Sequence, residues 1–332
     1  MKHIKSWLPK ALVILHALSL VFTLSATQAF AEADAYPSKP VRLVVPIPPG
    51  SSVDQIGRIL AGKLSVRLGQ QIIVDNRGGA GGSIGADIVA RSNPDGYTLL
   101  EIAAFYPINA VFYKNLPFDP VKSFTPIAKL GSGPSVLVAH PSVPANSVKE
   151  LIALAKQKPG KLLWATSGIG SNQHMAAELF KVKAGVDILV VNFKGGGPAL
   201  MDMIGGHSQI ATGTLSAVLP YIKSGQVKVL ANCGLKRSDI LPDVPTASES
   251  GLPGYEVMGW YGILAPAGTP APIVNKLSTE IKAVLSSEEL KTIFKNFGST
   301  VDYLGPREFG AYIQAEIKKW GKVLEDANIK RK

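Results

Sequence analysis

The residues best suited to chemistry lie between Leu162 and Phe180, in the stretch LLWATSGIGSNQHMAAELF. It reads as a short apolar strand, a turn rich in hydroxyls and glycine, then an amphipathic helix with Met175, Ala176 and Leu179 at helical spacing. Ser171 or Asn172 can cap that helix. The turn then offers free backbone N–H groups at a positive helix end. Thr166, Ser167 and Ser171 place hydroxyls beside them, and Gly168 lets a ligand approach. Such a turn seats a carboxylate without needing a cation. An ordinary capped strand-to-helix turn has the same composition, so the weight must come from elsewhere in the chain.

Two other constellations compete. Gly81-Gly82-Ser83-Ile84-Gly85 is a literal G-x-S-x-G. A nucleophile elbow needs its strand to end at the motif, with an acid and a histidine later. Here the preceding strand ends near Val74, and Ser83 as a helix N-cap explains the pattern better. His174 and Glu178 stand one helical turn apart, which is half a metal site. No further ligand cluster accompanies them, so no metal is expected. There is no P-loop and no well-spaced G-x-G-x-x-G, which disfavours nucleotides, and no cofactor is expected.

The elements that must position these residues alternate. Val41 to Pro46, Gln71 to Val74 and Thr98 to Ala103 read as strands, separated by helices from about Val53 to Leu68 and from Ser83 onward. Ala104-Phe105-Tyr106-Pro107 leaves the third strand. Ile127 to Leu130 and Ser135 to Ala139 read as two further strands. A second βα series follows, with strands before Thr166, at Ile188 to Asn192, Gln209 to Thr212 and Val227 to Cys233. Val257 to Ala265 is a late strand, followed by helices to Leu285, over Glu288 to Asn296 and over Pro306 to Asp326. The first series lacks enough helices of its own, so the chain is expected to cross back. The expected fold is α/β: two doubly wound domains with a ligand cleft between them. Residues 36–134 plus 257–332 form the first, discontinuous domain, and residues 135–256 form the second. In such sheets ligands sit at the carboxyl ends of strands. Four glycine- and hydroxyl-rich loops stand there: Gly50-Ser51-Ser52, Thr166 to Ser171, Lys194 to Gly197, and Gly213-Thr214. Phe105 and Trp260 are read as pocket residues and Tyr261 as core.

The N-terminus is basic (Lys2, Lys5, Lys10), runs apolar from Ala11 to Ala26 and ends in Ala29-Phe30-Ala31. This is the pattern of a secretory signal peptide over residues 1–31, cleaved after Ala31. The leader holds three of the 35 basic residues and none of the 24 acidic ones, leaving 32 against 24, or +8. The charge is scattered rather than gathered into a stripe with aromatic platforms, which argues against a nucleic-acid partner. The single cysteine, Cys233, sits in an apolar run and reads as a buried structural thiol.

Several segments resemble one family in chain order. They are Tyr36 to Pro46, Asp75-Asn76-Arg77 with its glycine loop, Pro94 to Leu100, Leu116 to Pro120, and Thr125 to Ala128. Further along come Pro159 to Leu162, Leu241 to Thr246, and Leu264 to Pro270. The chain resembles the Bug-type solute-binding receptors of tripartite tricarboxylate transporters. That resemblance implies a two-domain fold of periplasmic binding protein type, no catalysis, a periplasmic location and a monomer. It implies capture of a small organic carboxylate and delivery to the membrane permease subunits of a tripartite transporter. It carries over Pro49, Gly50 and Ser51 from the first loop, Thr166, Ser167 and Ser171 from the carboxylate turn, and Lys194 and Gly195 from the next. Departures from the family pattern mark specificity. Ala104-Phe105 stands where many members have Ser or Thr. No acid stands near Gly213, beside Thr214, to pair an amine. Many members have a second glycine where Ser51 adds a hydroxyl. The expected ligand is an amine-free carboxylate, either a dicarboxylate or one with an aromatic or extended apolar body. An exported serine hydrolase using Ser83, and a carboxylate sensor without transport, stay open as alternatives.

Overall fold

The structure is a computed structural model in which residues 36–331 are described; the expected signal peptide lies outside them. Strands β1 (Val41–Val45), β2 (Ile72–Asn76) and β3 (Thr98–Ala103) run parallel, with β1 between the other two. The apolar residues of β1 and β3 are buried on both faces, as parallel strands covered by helices require, while β2 stands at the sheet edge with Ile73 exposed. Helix α1 (Ser52–Leu68) starts at Ser51, whose hydroxyl accepts the Asp54 N–H at 3.1 Å, and stops at Gly69, which adopts φ +68°. Helices α2 (Ser83–Ala90) and α3 (Phe105–Phe112) follow β2 and β3.

The next strand, β4 (Phe124–Ala139), is one continuous run of 16 residues where two strands were expected. Gly131 and Gly133 look like a break in the sequence. In the fold they are there for close packing. A Cβ on Gly131 would lie 2.3 Å from the Phe294 ring, and one on Gly133 would lie 2.5 Å from the Gly298 carbonyl. A second series then runs α4 (Val148–Gln157), β5 (Leu163–Thr166), α5 (Asn172–Ala184), β6 (Leu189–Asn192), α6 (Gly196–Ile204), β7 (Ile210–Thr214), α7 (Leu215–Lys223) and β8 (Lys228–Asn232). The chain returns through β9 (Met258–Pro266), α8 (Ala271–Leu285), α9 (Glu288–Asn296), β10 (Thr300–Leu304) and α10 (Pro306–Asp326).

The sheet order is β2-β1-β3-β9-β4-β7-β5-β6, with β10 and β8 also paired to β4. Residues 124–134 of β4 pair with β9, and residues 135–139 pair with β7 and β8. This one strand therefore belongs to both halves of the sheet. Each half has an apolar cluster on either face. Helix α10 serves both halves: Phe309 and Ile313 pack under the first, while Trp320, Val323 and Leu324 join the cluster built on α4, β5 and α5.

Two elements differ from the sequence expectation. Ala104 to Pro107 was expected to leave the strand with no helix assigned there, yet helix α3 begins at Phe105. Pro107 falls in its first turn, where no backbone donor is needed. Strand β10, which among the described strands pairs only with β4, was not expected at all. Trp260 is core rather than pocket: it is 1% exposed and meets Phe309 and Tyr312 edge to face. Tyr261 is buried, as expected, and so is Cys233, whose thiol burial pushes up to about 12.

Candidate functional site

A cleft of about 620 Å³ opens between the two halves of the sheet. Gly50, Ser51, Ser52 and Gln55 line it from the first half. Gln173, Gly196, Gly197, Thr212, Gly213, Thr214 and Ser216 line it from the second, and Asn296 and Phe297 close one side. Four helices direct their N-termini here: α1, α5, α6 and α7. The first N–H groups of a helix have no acceptor within it, and its dipole makes that end positive. None of the described lining residues carries a charged side chain.

Each wall is fixed from behind. Gly50 adopts φ +89° and donates its N–H to Asp54 Oδ2 at 2.9 Å. Asp54 also accepts from Asn76 Nδ2 at 2.8 Å and pairs with Arg58 at 3.0 Å. Burial alone would raise the Asp54 carboxyl. Hydrogen bonds from Arg58, the Gly50 N–H and Asn76 nevertheless hold it below the usual carboxylate range. On the opposite wall, Gly168 (φ +123°) and Gly170 (φ +78°) shape the turn after β5. Ser171 caps α5 by accepting the His174 N–H at 3.1 Å. His174 is buried under this turn, and burial holds its imidazole below the ordinary histidine value.

The expected site residues divide into two groups. Gly50, Ser51, Gly213 and Thr214 line the cleft. Gly195 does not line it but caps α6, whose Gly196 and Gly197 do. Lys194 is exposed and Pro49 flanks the first loop, both outside the lining. The Thr166 hydroxyl was expected to meet the ligand. It is fully buried and donates to Asn192 Oδ1 at 2.7 Å, tying β5 to the end of β6. Ser167, Gly168 and Ser171 likewise build the turn without lining the cleft. Ala104 is buried, and Phe105 lies over Gly82, where a Cβ would come within 2.9 Å of its ring. Apolar surface in the cleft comes instead from Ala199, Leu200, Val218 and Phe297.

Four side chains missed in the sequence are the most telling. Thr212 Oγ1 and Gln173 Oε1 are buried with no protein partner among the described residues, and both residues line the cleft. A buried polar atom without a partner costs about 1–3 kcal/mol, so such atoms in a pocket point to a ligand or water. Gln173 was within reach of sequence reasoning, two residues past the Ser171 cap. Asn296 and Phe297 come from a distant helix end and left no signal. Ser83 is the first residue of α2 rather than its cap, a position Gly82 takes. The small pocket it touches is lined by no histidine and no acid, so no general base faces it there. Among the described residues, no group of three or more His, Cys, Asp or Glu is placed to hold a metal. Glu178 pairs with Lys181 at 3.1 Å instead.

A family model described as the tripartite tricarboxylate transporter family receptor matches residues 56–329. The chain belongs to that family. It is 34% identical to BugT of Bordetella pertussis over 321 residues, covering 96% of this chain and 98% of BugT. Among solved structures it is similar to the periplasmic binding protein BugD, with TM-score 0.77, 34% identity, and coverage of 90% of this chain and 100% of that one. An R. palustris protein solved with adipate gives TM-score 0.79 at 35% identity, over 88% of this chain and 98% of its own. MatC of Rhodopseudomonas palustris, with bound malate, gives 0.75 at 31%, over 87% and 100%. The receptor fold expected from the sequence, α/β with two halves flanking a cleft, is the fold of these relatives.

Proposed function

We propose that this receptor captures a small organic carboxylate in the cleft and delivers it to the membrane permease of a tripartite transporter, working in the periplasm after loss of its leader. One observation carries the reading: four helix N-termini converge on a cleft with no charged side chain among its described lining residues, next to the orphaned Thr212 hydroxyl. Neutral donors at positive helix ends bind carboxylates while leaving no fixed cation to trap them. The adipate and malate of the two R. palustris relatives support the ligand class. With no acid on the cleft wall to pair an ammonium, the ligand is an amine-free carboxylate, and Phe297 and Leu200 meet its apolar body.

The two halves act as domains, residues 36–134 plus 257–332 and residues 135–256, that close on the ligand by a hinge at β4 and β9. Calorimetry against a panel of mono- and dicarboxylates tests the reading. Binding of at least one amine-free carboxylate is expected, with a Thr212→Ala loss of about tenfold from one missing hydrogen bond to a charged group. A panel in which only amino acids bind, or in which Thr212→Ala binds like wild type, overturns it.

A further inference from the structure

A second cavity, of about 750 Å³, lies on the far side of the turn that closes the cleft. The turn from Asn296 to Ser299 is their common wall: Asn296 and Phe297 face the cleft, while Gly298 and Ser299 face the second groove. The chemistry of the two is opposite. Among the described residues the cleft has no charged lining side chain, whereas Lys236 and Lys295 line the groove, exposed and without an ion-pair partner. Between them lies apolar surface from Leu235, which is 70% exposed, with Met258 and Val301.

The groove is built rather than incidental. The Asn232 side chain, 2% exposed, holds one wall: its Oδ1 accepts the Gly234 N–H at 2.7 Å and its Nδ2 donates to the Lys236 carbonyl at 3.2 Å. The floor is an ion pair between the buried Lys129, 4% exposed, and the half-exposed Asp302, which also accepts the Ser132 hydroxyl at 2.6 Å. The Lys129 ammonium also stands 4.4 Å over the Tyr312 ring. With the floor charges neutralised against each other, the charges left facing the groove without an ion-pair partner among the described residues are Lys236 and Lys295 against one acid, Asp239, an excess of positive charge.

We propose that this groove is a second binding site, for a small anion with an apolar body. Its volume lies in the range of small-molecule pockets, which are mostly apolar with a few placed polar groups. An occupant would touch the loop after β8 on one side and the α9–β10 turn on the other, and so rest on both halves of the sheet. It would also bear on Gly298. That residue sits so tightly against the start of α7 that a Cβ there would meet Leu215 at 2.7 Å and the Ser216 nitrogen at 2.8 Å.

The probe is 8-anilinonaphthalene-1-sulfonate, an apolar-bodied anion whose fluorescence reports burial, titrated into the purified protein with calorimetry for stoichiometry. One saturable site is expected. It should weaken by about tenfold or more in Lys236→Glu/Lys295→Glu, which loses charge-assisted contacts, and also in Leu235→Asp. Binding should be unchanged in Lys114→Glu/Lys161→Glu, a control of equal net charge outside the groove, and in Thr212→Ala in the cleft. Thermal melts verify that each variant is folded. Equal loss in the control pair would reduce the effect to bulk charge. Loss in Thr212→Ala would put the probe in the cleft. Either result, or several weak sites, or no saturable binding, overturns the proposal.

Discussion

Glu101 is a buried acid without a partner, and replacing it should stabilise the protein. It stands on β3 with 0% exposure, and neither carboxyl oxygen has a hydrogen-bond partner among the described residues. Helix α1 makes room for it: a Cβ on Gly57 would come within 2.0 Å of Glu101 Oε2. Burial, reinforced by the nearby Asp54 charge, pushes the Glu101 carboxyl well above its ordinary 4.5. Glu101→Met fills the same notch with an apolar chain of similar shape. Removing an unsatisfied buried polar group should gain about 1–3 kcal/mol at neutral pH. For a chain of this length that raises the melting temperature by roughly 2–5 °C. The sign with pH follows from linkage. The folded state holds this proton more tightly than the unfolded state, so wild type is most favoured below the ordinary Glu value. It loses stability as pH rises from there through the raised folded value. The Met variant lacks that loss, so its advantage should widen over the same window. Melts from pH 4 to 9 decide it. A Met variant less stable than wild type at pH 7, or an advantage that shrinks as pH rises, refutes the reasoning. A double-mutant cycle sharpens the test. Gly57→Ala alone should destabilise through the clash. In a Glu101→Ala background it should gain about 1 kcal/mol from helix propensity.

Three further outcomes are expected. Asp54→Asn should weaken carboxylate binding through a loosened Gly50 loop while leaving the opposite wall intact. Because the Asp54 carboxyl is held low, wild-type stability should fall as pH drops from the ordinary carboxylate value through the folded one, and this variant should lose that slope in acid melts. Thr166→Val should lower affinity through misplacement of Asn192, an effect that calorimetry at the cleft reads but that direct ligand contact cannot explain. Small-angle scattering with a carboxylate found to bind should show a smaller radius of gyration than the free protein; an unchanged radius at saturation counts against closure.

The helix caps were legible because their signal is local. Ser51 and Ser171 precede amphipathic runs, and each hydroxyl accepts the N–H three residues on. The convergence of loops was legible for the same reason: glycine and hydroxyls cluster where parallel strands end. The direction of Thr166 was not. A residue at the last position of a strand can face the cleft or the neighbouring loop, and Asn192, brought beside it by the β5–β6 pairing, decides the matter. Gly131 and Gly133 misled because a glycine needed for close packing looks the same in sequence as one needed for a turn. Phe297 enters the cleft from a helix end more than 80 residues past Thr214, and only the tertiary fold brings them together.

The place of β9 in the sheet has a consequence for how the chain is made. It lies between β3 and β4, yet it follows β4 by more than 100 residues. The first half of the sheet therefore has a gap at its centre until Met258–Pro266 has emerged. Pairing across such a separation pays its loop-closure entropy before any contact rewards it, which makes the step slow. A ribosome-bound chain lacking its last 75 residues cannot complete either the β3–β9–β4 ladder or the cover that α8 and α10 provide. If the protein works in the periplasm as proposed, late arrival of the central strand would keep the nascent chain open enough to be threaded through a translocation pore, and folding to completion would wait for the far side of the membrane.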